Sequence, residues 1–256
     1  MTNRRLGWMV AMILSLWTPA AFADVIYNSF RTADDAAAGN TTTTSTPRYL
    51  MGDDISTIAT PDPNKVWLVD SMSLKLFAFG SGVAGQNQVY DAVTMRVRVF
   101  ETFDANAAGG TSVFSNQVSD VTWNLGTITN NSSTGANQVF AINNLPYLAN
   151  NFQFELQTGQ NIGVTVEFLS NGVINNGLAS VLMTGAGNAG VPLIGTSTNG
   201  WYRDANSNGF LEASDRRTLT NPSNMQLIIN ATAVPEPTTV GLLLVGSIGI
   251  FVRRRR

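Results

Sequence analysis

Apolar and polar residues alternate with a period of two through much of the middle of the chain. Met72, Leu74, Leu76 and Ala78 alternate with Ser73, Lys75, Phe77 and Phe79. Val93, Met95, Val97 and Val99 alternate with Thr94, Arg96, Arg98 and Phe100. Phe152, Phe154 and Leu156 repeat the pattern, as do Ile162, Val164, Val166 and Phe168. Successive side chains of a strand point to opposite faces, so these runs predict half-buried strands. Weaker signals cover 25–31, 112–118, 121–128, 138–143, 178–184 and 225–232. Asn171-Gly172, Asn176-Gly177 and Asn199-Gly200 supply hairpin-type turns. Before residue 236 no amphipathic pattern exceeds three helical turns, and Ala33 to Ala38 predict one short helical turn. About ten short strands with closely spaced turns predict an all-β domain over 24–233, an antiparallel, jelly-roll-like β-sandwich.

Composition narrows the chemistry. The 256 residues include no cysteine and no histidine, and 12% are charged. That excludes a disulfide framework, a thiolate nucleophile, a Ser-His-Asp triad and a zinc site of Cys or His ligands. Setting aside Glu236 and the six arginines near the two ends leaves 16 acidic and 9 basic residues over 24–233, a balance near −7. Nucleic-acid binding needs a basic face, so no nucleic-acid partner is expected.

The two ends carry a separate message. Arg4 and Arg5 precede an apolar run, Leu6 to Trp17, then Pro19 and the small-x-small box Ala21-Phe22-Ala23. This order is that of a secretory signal over 1–23, with signal peptidase cutting between Ala23 and Asp24. At the other end, Val234-Pro235-Glu236-Pro237 precedes an apolar stretch, 238–252, and Arg253, Arg254, Arg255 and Arg256. Fifteen residues of helix span roughly 22 Å at about 1.5 Å each. That is short for a hydrocarbon core of about 30 Å, but snorkelling arginines and local thinning of the bilayer make up the difference. The four arginines hold their end on the cytoplasmic side.

The order Pro-Glu-Pro, short transmembrane helix, arginine cluster over 234–256 resembles the PEP-CTERM sorting signal of Gram-negative bacteria. The resemblance implies export, an inner-membrane intermediate held by the C-terminal helix, and processing by an exosortase-type membrane protease. It further implies delivery to the cell surface or outside the cell, in bacteria that make exopolysaccharide, biofilm or floc.

Within 24–233 one segment points to a ligand. Asp204, Asn206, Asn208, Phe210, Glu212 and Asp215 occupy the first, third, fifth, seventh, ninth and twelfth places of a calcium-type loop. Gly209 stands sixth and Leu211 eighth. A hard cation needs several oxygens around one point, with the seventh place giving a backbone carbonyl and Gly allowing the tight bend. The twelfth place holds Asp rather than Glu, and flanking helices are not evident. Ca2+ is therefore the expected cofactor, and an Asx-turn loop between strands is the alternative.

Other motifs read as structure. Gly80–Gly85 and Gly185–Gly190 fit a dinucleotide glycine pattern, but the first leads into a predicted strand and the second into Val191-Pro192, so both predict connecting loops. Gly195–Asn199 lacks the last glycine of a nucleophile elbow and any histidine base. Asp34-Asp35 and Asp53-Asp54 predict loop residues. Thr41–Pro47 predicts a polar loop. Asn130, Asn131 and Asn230 stand in Asn-x-Ser/Thr contexts. Trp201 and Tyr202 are candidate sugar contacts, although aromatics in strands more often belong to a core.

The sequence thus predicts a non-enzymatic, exosortase-sorted surface or matrix protein that associates with exopolysaccharide. A calcium-supported carbohydrate-binding module and a secreted glycosidase working with carboxylates alone are the alternatives.

Overall fold

Fifteen strands carry the described part of the chain. The computed structural model describes residues 23–31, 35–37, 50–60, 62–146, 154–157, 159–174, 177–184, 192–198, 200–217 and 223–235. The strands are β1 (Asp24–Asn28), β2 (Asp35–Ala37), β3 (Leu50–Ser56), β4 (Lys65–Ala78), β5 (Gln88–Phe103), β6 (Phe114–Asn130), β7 (Gln138–Pro146), β8 (Glu155–Leu156), β9 (Asn161–Ser170), β10 (Val173–Ile174), β11 (Leu178–Thr184), β12 (Trp201–Arg203), β13 (Arg216–Arg217), β14 (Ser223–Met225) and β15 (Leu227–Pro235).

They form two antiparallel sheets. The first has the order β1-β15-β4-β11-β14, with β7 and β8 on β4 and β2 on β11. The second runs β13-β12-β3-β9-β5-β6, with β10 on β9. Strand β4 is the organiser of the first sheet. Residues 65–74 pair with β15 and residues 76–78 with β11, while β8 and then β7 also pair along its length.

The period of two explains the main core. Met72, Leu74, Leu76 and Ala78 of β4 face Val93, Met95, Val97 and Val99 of β5 and Ile162, Val164, Val166 and Phe168 of β9 in one buried cluster. Ile229 and Ala231 of β15 and Leu178 of β11 join it. Each large side chain of this set contributes about 1.5–3 kcal/mol on burial. The sandwich class follows from this, as the alternation predicts. Asn171 and Gly172 both adopt positive φ, 52° and 71°, which closes the β9–β10 hairpin where the Asn-Gly pair predicts it.

Three expectations are corrected. Asp35–Ala37 is extended and pairs with β11, so the expected helical turn over 33–38 is absent at the described positions; edge pairing overrides the weak helical preference of a short alanine run. Asp53 and Asp54 are not loop residues but the centre of β3, and both are fully buried. Their polarity masked a strand whose backbone pairs with β9 on one side and β12 on the other. Finally, Ser73 and Lys75 of β4 are buried although they alternate with core residues. The segment after β1 covers that outward face: Lys75 Nζ donates to the Arg31 carbonyl at 2.6 Å and lies 5.4 Å from the centre of the Phe30 ring. The Gly80–Gly85 loop leads into β5, as expected, and leans on the β6–β7 turn through Gly82 N to Gly135 O at 3.0 Å. Residues 41–47 and 185–190 lie outside the described residues.

A second, smaller core lies on the outward face of the second sheet. Leu50, Val113, Phe114, Tyr202 and Leu211 bury together, with Phe100 and Phe103 packed against them. Two strand glycines make the seat. Gly52 on β3 and Gly163 on β9 both point outward beneath the Phe114 ring. A Cβ on Gly52 would come within 2.7 Å of that ring and 2.6 Å of Leu211, and a Cβ on Gly163 would overlap the ring. Phe114 also contacts Phe100, Phe103 and Tyr202 with ring centres 5.5–5.9 Å apart, within the favourable range for aromatic pairs.

Candidate functional site

The sorting segment grows directly out of the sandwich. Leu227, Ile229 and Ala231 of β15 are core residues, and the strand continues without a break through Val234 and Pro235, whose partners on β4 are Val66 and Lys65. Pro235 has no N–H to donate and stands at the strand end, where a missing ladder bond is tolerated. On the other side of β15, Asp24 pairs with Ala231, and Ala23 just before it is exposed. The start of β1 and the end of β15, where the sorting motif begins, therefore lie on neighbouring antiparallel strands at the same end of the first sheet. Ala21, Glu236, Pro237, the apolar stretch 238–252 and Arg253–Arg256 lie outside the described residues. Among the described residues, no helix is long and apolar enough to cross a membrane.

The candidate cation loop closes a hairpin between β12 and β13, in which Trp201 pairs with Arg217 and Tyr202 with Arg216. It begins as Asp204 N donates to the Leu50 carbonyl at 3.2 Å. The Asp204 side chain is fully buried and accepts from Asn208 N at 3.2 Å and Gly209 N at 2.9 Å. Asn206 Oδ1 accepts from Asn208 N at 3.1 Å, and Asn208 Oδ1 from Phe210 N at 3.2 Å. These turns need left-handed backbone at Ser207 (φ 59°) and Gly209 (φ 86°). Leu211 then plugs the small outer core. Glu212 returns to the start of the loop, accepting from Asn206 Nδ2 at 3.1 Å. A 3-10 turn, Ala213–Asp215, brings the buried Asp215 back so that it accepts from Ala205 N at 3.2 Å and Glu212 N at 3.0 Å.

The loop thus brings its first, third, ninth and twelfth residues into one hydrogen-bonded ring. Its acceptors are all oxygen, the chemistry a hard cation selects. Among the described residues no three Asp, Glu, His or Cys side chains converge as a metal-holding group. A cation here would have to draw on Asn206, Asn208 and the Phe210 carbonyl beside the carboxylates.

Asp53 and Asp54 illustrate alternation inside β3. Asp53 faces the core and accepts from Met225 N at 2.6 Å, tying β3 to β14 of the opposite sheet; its other oxygen is buried without a hydrogen-bond partner. Burial pushes its carboxyl well above the ordinary range, and the neighbouring Asp54 adds to this. Asp54 faces outward beneath residues 196–198, where it accepts from Thr198 N at 3.1 Å and from the Thr198 hydroxyl. The two acids are neither solvent-facing nor on one face. Trp201 and Tyr202 are also buried, Trp201 in the main core and Tyr202 in the outer one, which corrects their reading as exposed sugar contacts. Asn130 is buried as well, its amide donating to the Ala78 and Ala136 carbonyls.

Sequence pattern alone passes over the outward face of the second sheet. Alternation places Arg96, Arg98 and Phe100 there without joining them to anything. Cross-strand register sets Arg98 beside Thr165 and Asp120, and Arg96 beside Glu167. Arg96 binds Asp120 in fork geometry, Nε to Oδ1 at 2.7 Å and Nη2 to Oδ2 at 2.5 Å, and the pairing lowers the Asp120 pKa.

No curated protein and no solved structure matches the chain. The model of the PEP-CTERM protein-sorting motif matches residues 233–256, overlapping the end of β15 by three residues. The chain carries a PEP-CTERM protein-sorting motif, which implies an exported protein processed by the membrane protease exosortase.

Proposed function

We propose that this is a non-enzymatic surface or matrix protein whose sandwich is delivered by its tail and associates with exopolysaccharide. The observation that carries the reading is the direct run from β15 into the sorting motif. The strand's apolar residues are locked in the core, so a cut beyond Pro235 leaves β15 whole. The pairing of Asp24 with Ala231 serves the same end at the signal junction. Both processing points adjoin strand ends, and neither cut would break a strand.

The paired acids do not favour a glycosidase. Hydrolysis by two carboxylates needs both beside one sugar bond, whereas Asp53 and Asp54 are buried on opposite faces of β3. The test of the surface reading is localisation and retention of the protein in its own host. The full chain is expected in the surface or polysaccharide fraction, and deletion of 236–256, or neutralisation of Arg253–Arg256, is expected to leave it in the periplasm or inner membrane. Unchanged delivery after either alteration would overturn the reading.

The loop at 204–215 favours an added role for Ca2+. The closed ring of oxygen-bearing residues supports it, and bound cation would pin the β12–β13 hairpin to β3. Extracellular modules of this type bind at roughly 10⁻⁴–10⁻³ M. Calorimetry with millimolar calcium is expected to show saturable heat that Asp204→Ala removes; a flat titration of the wild type would discard the cation.

A further inference from the structure

A cleft of about 170 Å³ opens on the outward face of the second sheet, between the hydrophobic cover and the ion ladder. An engineered cavity of about 150 Å³ holds benzene, so this cleft has the space of one six-membered ring. Phe100, Phe114 and Phe210 supply apolar wall, while Arg98, Thr165 and Gln117 supply polar groups. This composition, apolar surface with a few placed polar groups, is that of a small-molecule site.

The polar groups are short of partners. Arg96 takes Asp120 in a two-pronged pair, which leaves Arg98 with Glu167 alone, 3.7 Å from its Nη2. Glu167 is shared, since Arg96 Nη1 lies 3.8 Å from the same oxygen. Among the described residues Arg98 makes no side-chain hydrogen bond; its Nε is buried without a partner, and so is Thr165 Oγ1 beside it on the neighbouring strand. A guanidinium held out of water gains most from a planar two-oxygen acceptor. Burial, with Arg96 nearby, also lowers the Arg98 pKa against the opposing pull of Glu167 and Asp120.

From this we infer that the cleft binds a carboxylate-bearing six-membered ring of monosaccharide size, its carboxylate on Arg98 and its flat face on the phenylalanine wall. The chemistry fits an acidic sugar residue or an aromatic acid. The site goes beyond the surface-protein reading and does not depend on it. Nor does it require a filled cation loop, although Phe210 and Leu211 belong to both.

Saturation-transfer NMR and calorimetry on the purified chain test it with three probes: methyl glucuronide, methyl glucoside and benzoate. The glucuronide is expected to bind with a Kd on the order of 1 mM, at least tenfold tighter than the glucoside, and Arg98→Gln is expected to weaken it tenfold or more. Thr165→Val and Gln117→Ala are expected to weaken it less. These two variants decide the matter if near-ultraviolet dichroism shows Arg98→Gln misfolded. Binding of benzoate but not glucuronide would keep the carboxylate-ring site and assign it to aromatic acids. Equal binding of glucuronide and glucoside, binding indifferent to all three variants, or no binding of any probe at about 10 mM would overturn the proposal. Repeating the titration with a chelator separates the two sites: loss of calcium heat with retained glucuronide binding concerns the loop alone.

Discussion

The second sheet has two faces that solve the problem of burial differently. Its inward face is regular. Val93 to Val99 and Ile162 to Phe168 present alternate apolar residues to the first sheet, and each of these is fully buried. Its outward face carries charge, two glycines and a borrowed cover. The start of β6 lays Phe114 over Gly52 and Gly163, and the β12–β13 loop adds Leu211. The inward face holds the fold together, and the outward face gathers the candidate cation loop, the ion ladder and the cleft. Stability and chemistry are separated by one strand's thickness.

Substitutions on each face test this division. Phe168→Ala on the inward face is expected to cost about 3–5 kcal/mol and to lower the chemical denaturation midpoint of the whole chain in a single transition. The outward counterpart Phe114→Ala is expected to lose stability too, but also to abolish probe binding in the cleft, which Phe168→Ala leaves intact in whatever fraction folds. Should Phe114→Ala bind probes normally, the outer cover would have no part in the site. Calcium at a hundredfold over its Kd is expected to add about 2.7 kcal/mol to unfolding, read as a rise in midpoint that Asp204→Ala eliminates. Gly163→Ala forces a methyl into the Phe114 ring and is expected to cost about 1–3 kcal/mol; simultaneous Phe114→Leu should recover part of it. The Arg96–Asp120 pair is more than a third exposed on the arginine side, and Arg96→Ala is expected to change stability by no more than about 1 kcal/mol.

On the inward side, Asp53 makes stability depend on pH. Its folded pKa is raised, so the native state holds the proton more tightly than the unfolded chain. The stabilisation this gives is complete below the unfolded carboxyl value, about 3.9, and fades as pH rises through the interval up to the folded value. Asp53→Asn keeps the acceptor for Met225 N and cannot ionise. Its stability relative to wild type is therefore expected to increase with pH above about 4. Parallel pH profiles for the two proteins would show that Asp53 is not desolvated as described.

The inward face was legible in the sequence because burial on one side leaves a period of two, and that period survives any detail of pairing. The same alternation announced Arg96, Arg98 and Phe100 as outward but could not say that a distant Phe114 covers their neighbours, since glycines at 52 and 163 carry no hydrophobic signal. β3 stayed hidden for a related reason. Its outward Gly52 and the adjacent Asp53 and Asp54 read as a turn, and only contacts distant in sequence, with Met225 and Thr198, hold those acids in a strand. The calcium-type spacing at 204–215 was visible; in the structure its side chains accept from loop backbone N–H groups and from Asn206. The burial of Trp201 and Tyr202 depends on sheet pairing with β3 and was not visible. The sorting motif was legible because its order of residues, not its packing, carries the message.

The sorting motif begins within the last three residues of a core strand. The intact and terminal-peptide masses of the protein recovered from its host bear on that arrangement without intermediaries. The expected result is a mature chain beginning at Asp24 and ending at or just beyond Pro235, with β15 whole. A surface-recovered chain that still carries Arg253–Arg256, or one trimmed back into Leu227–Ala231, would contradict it.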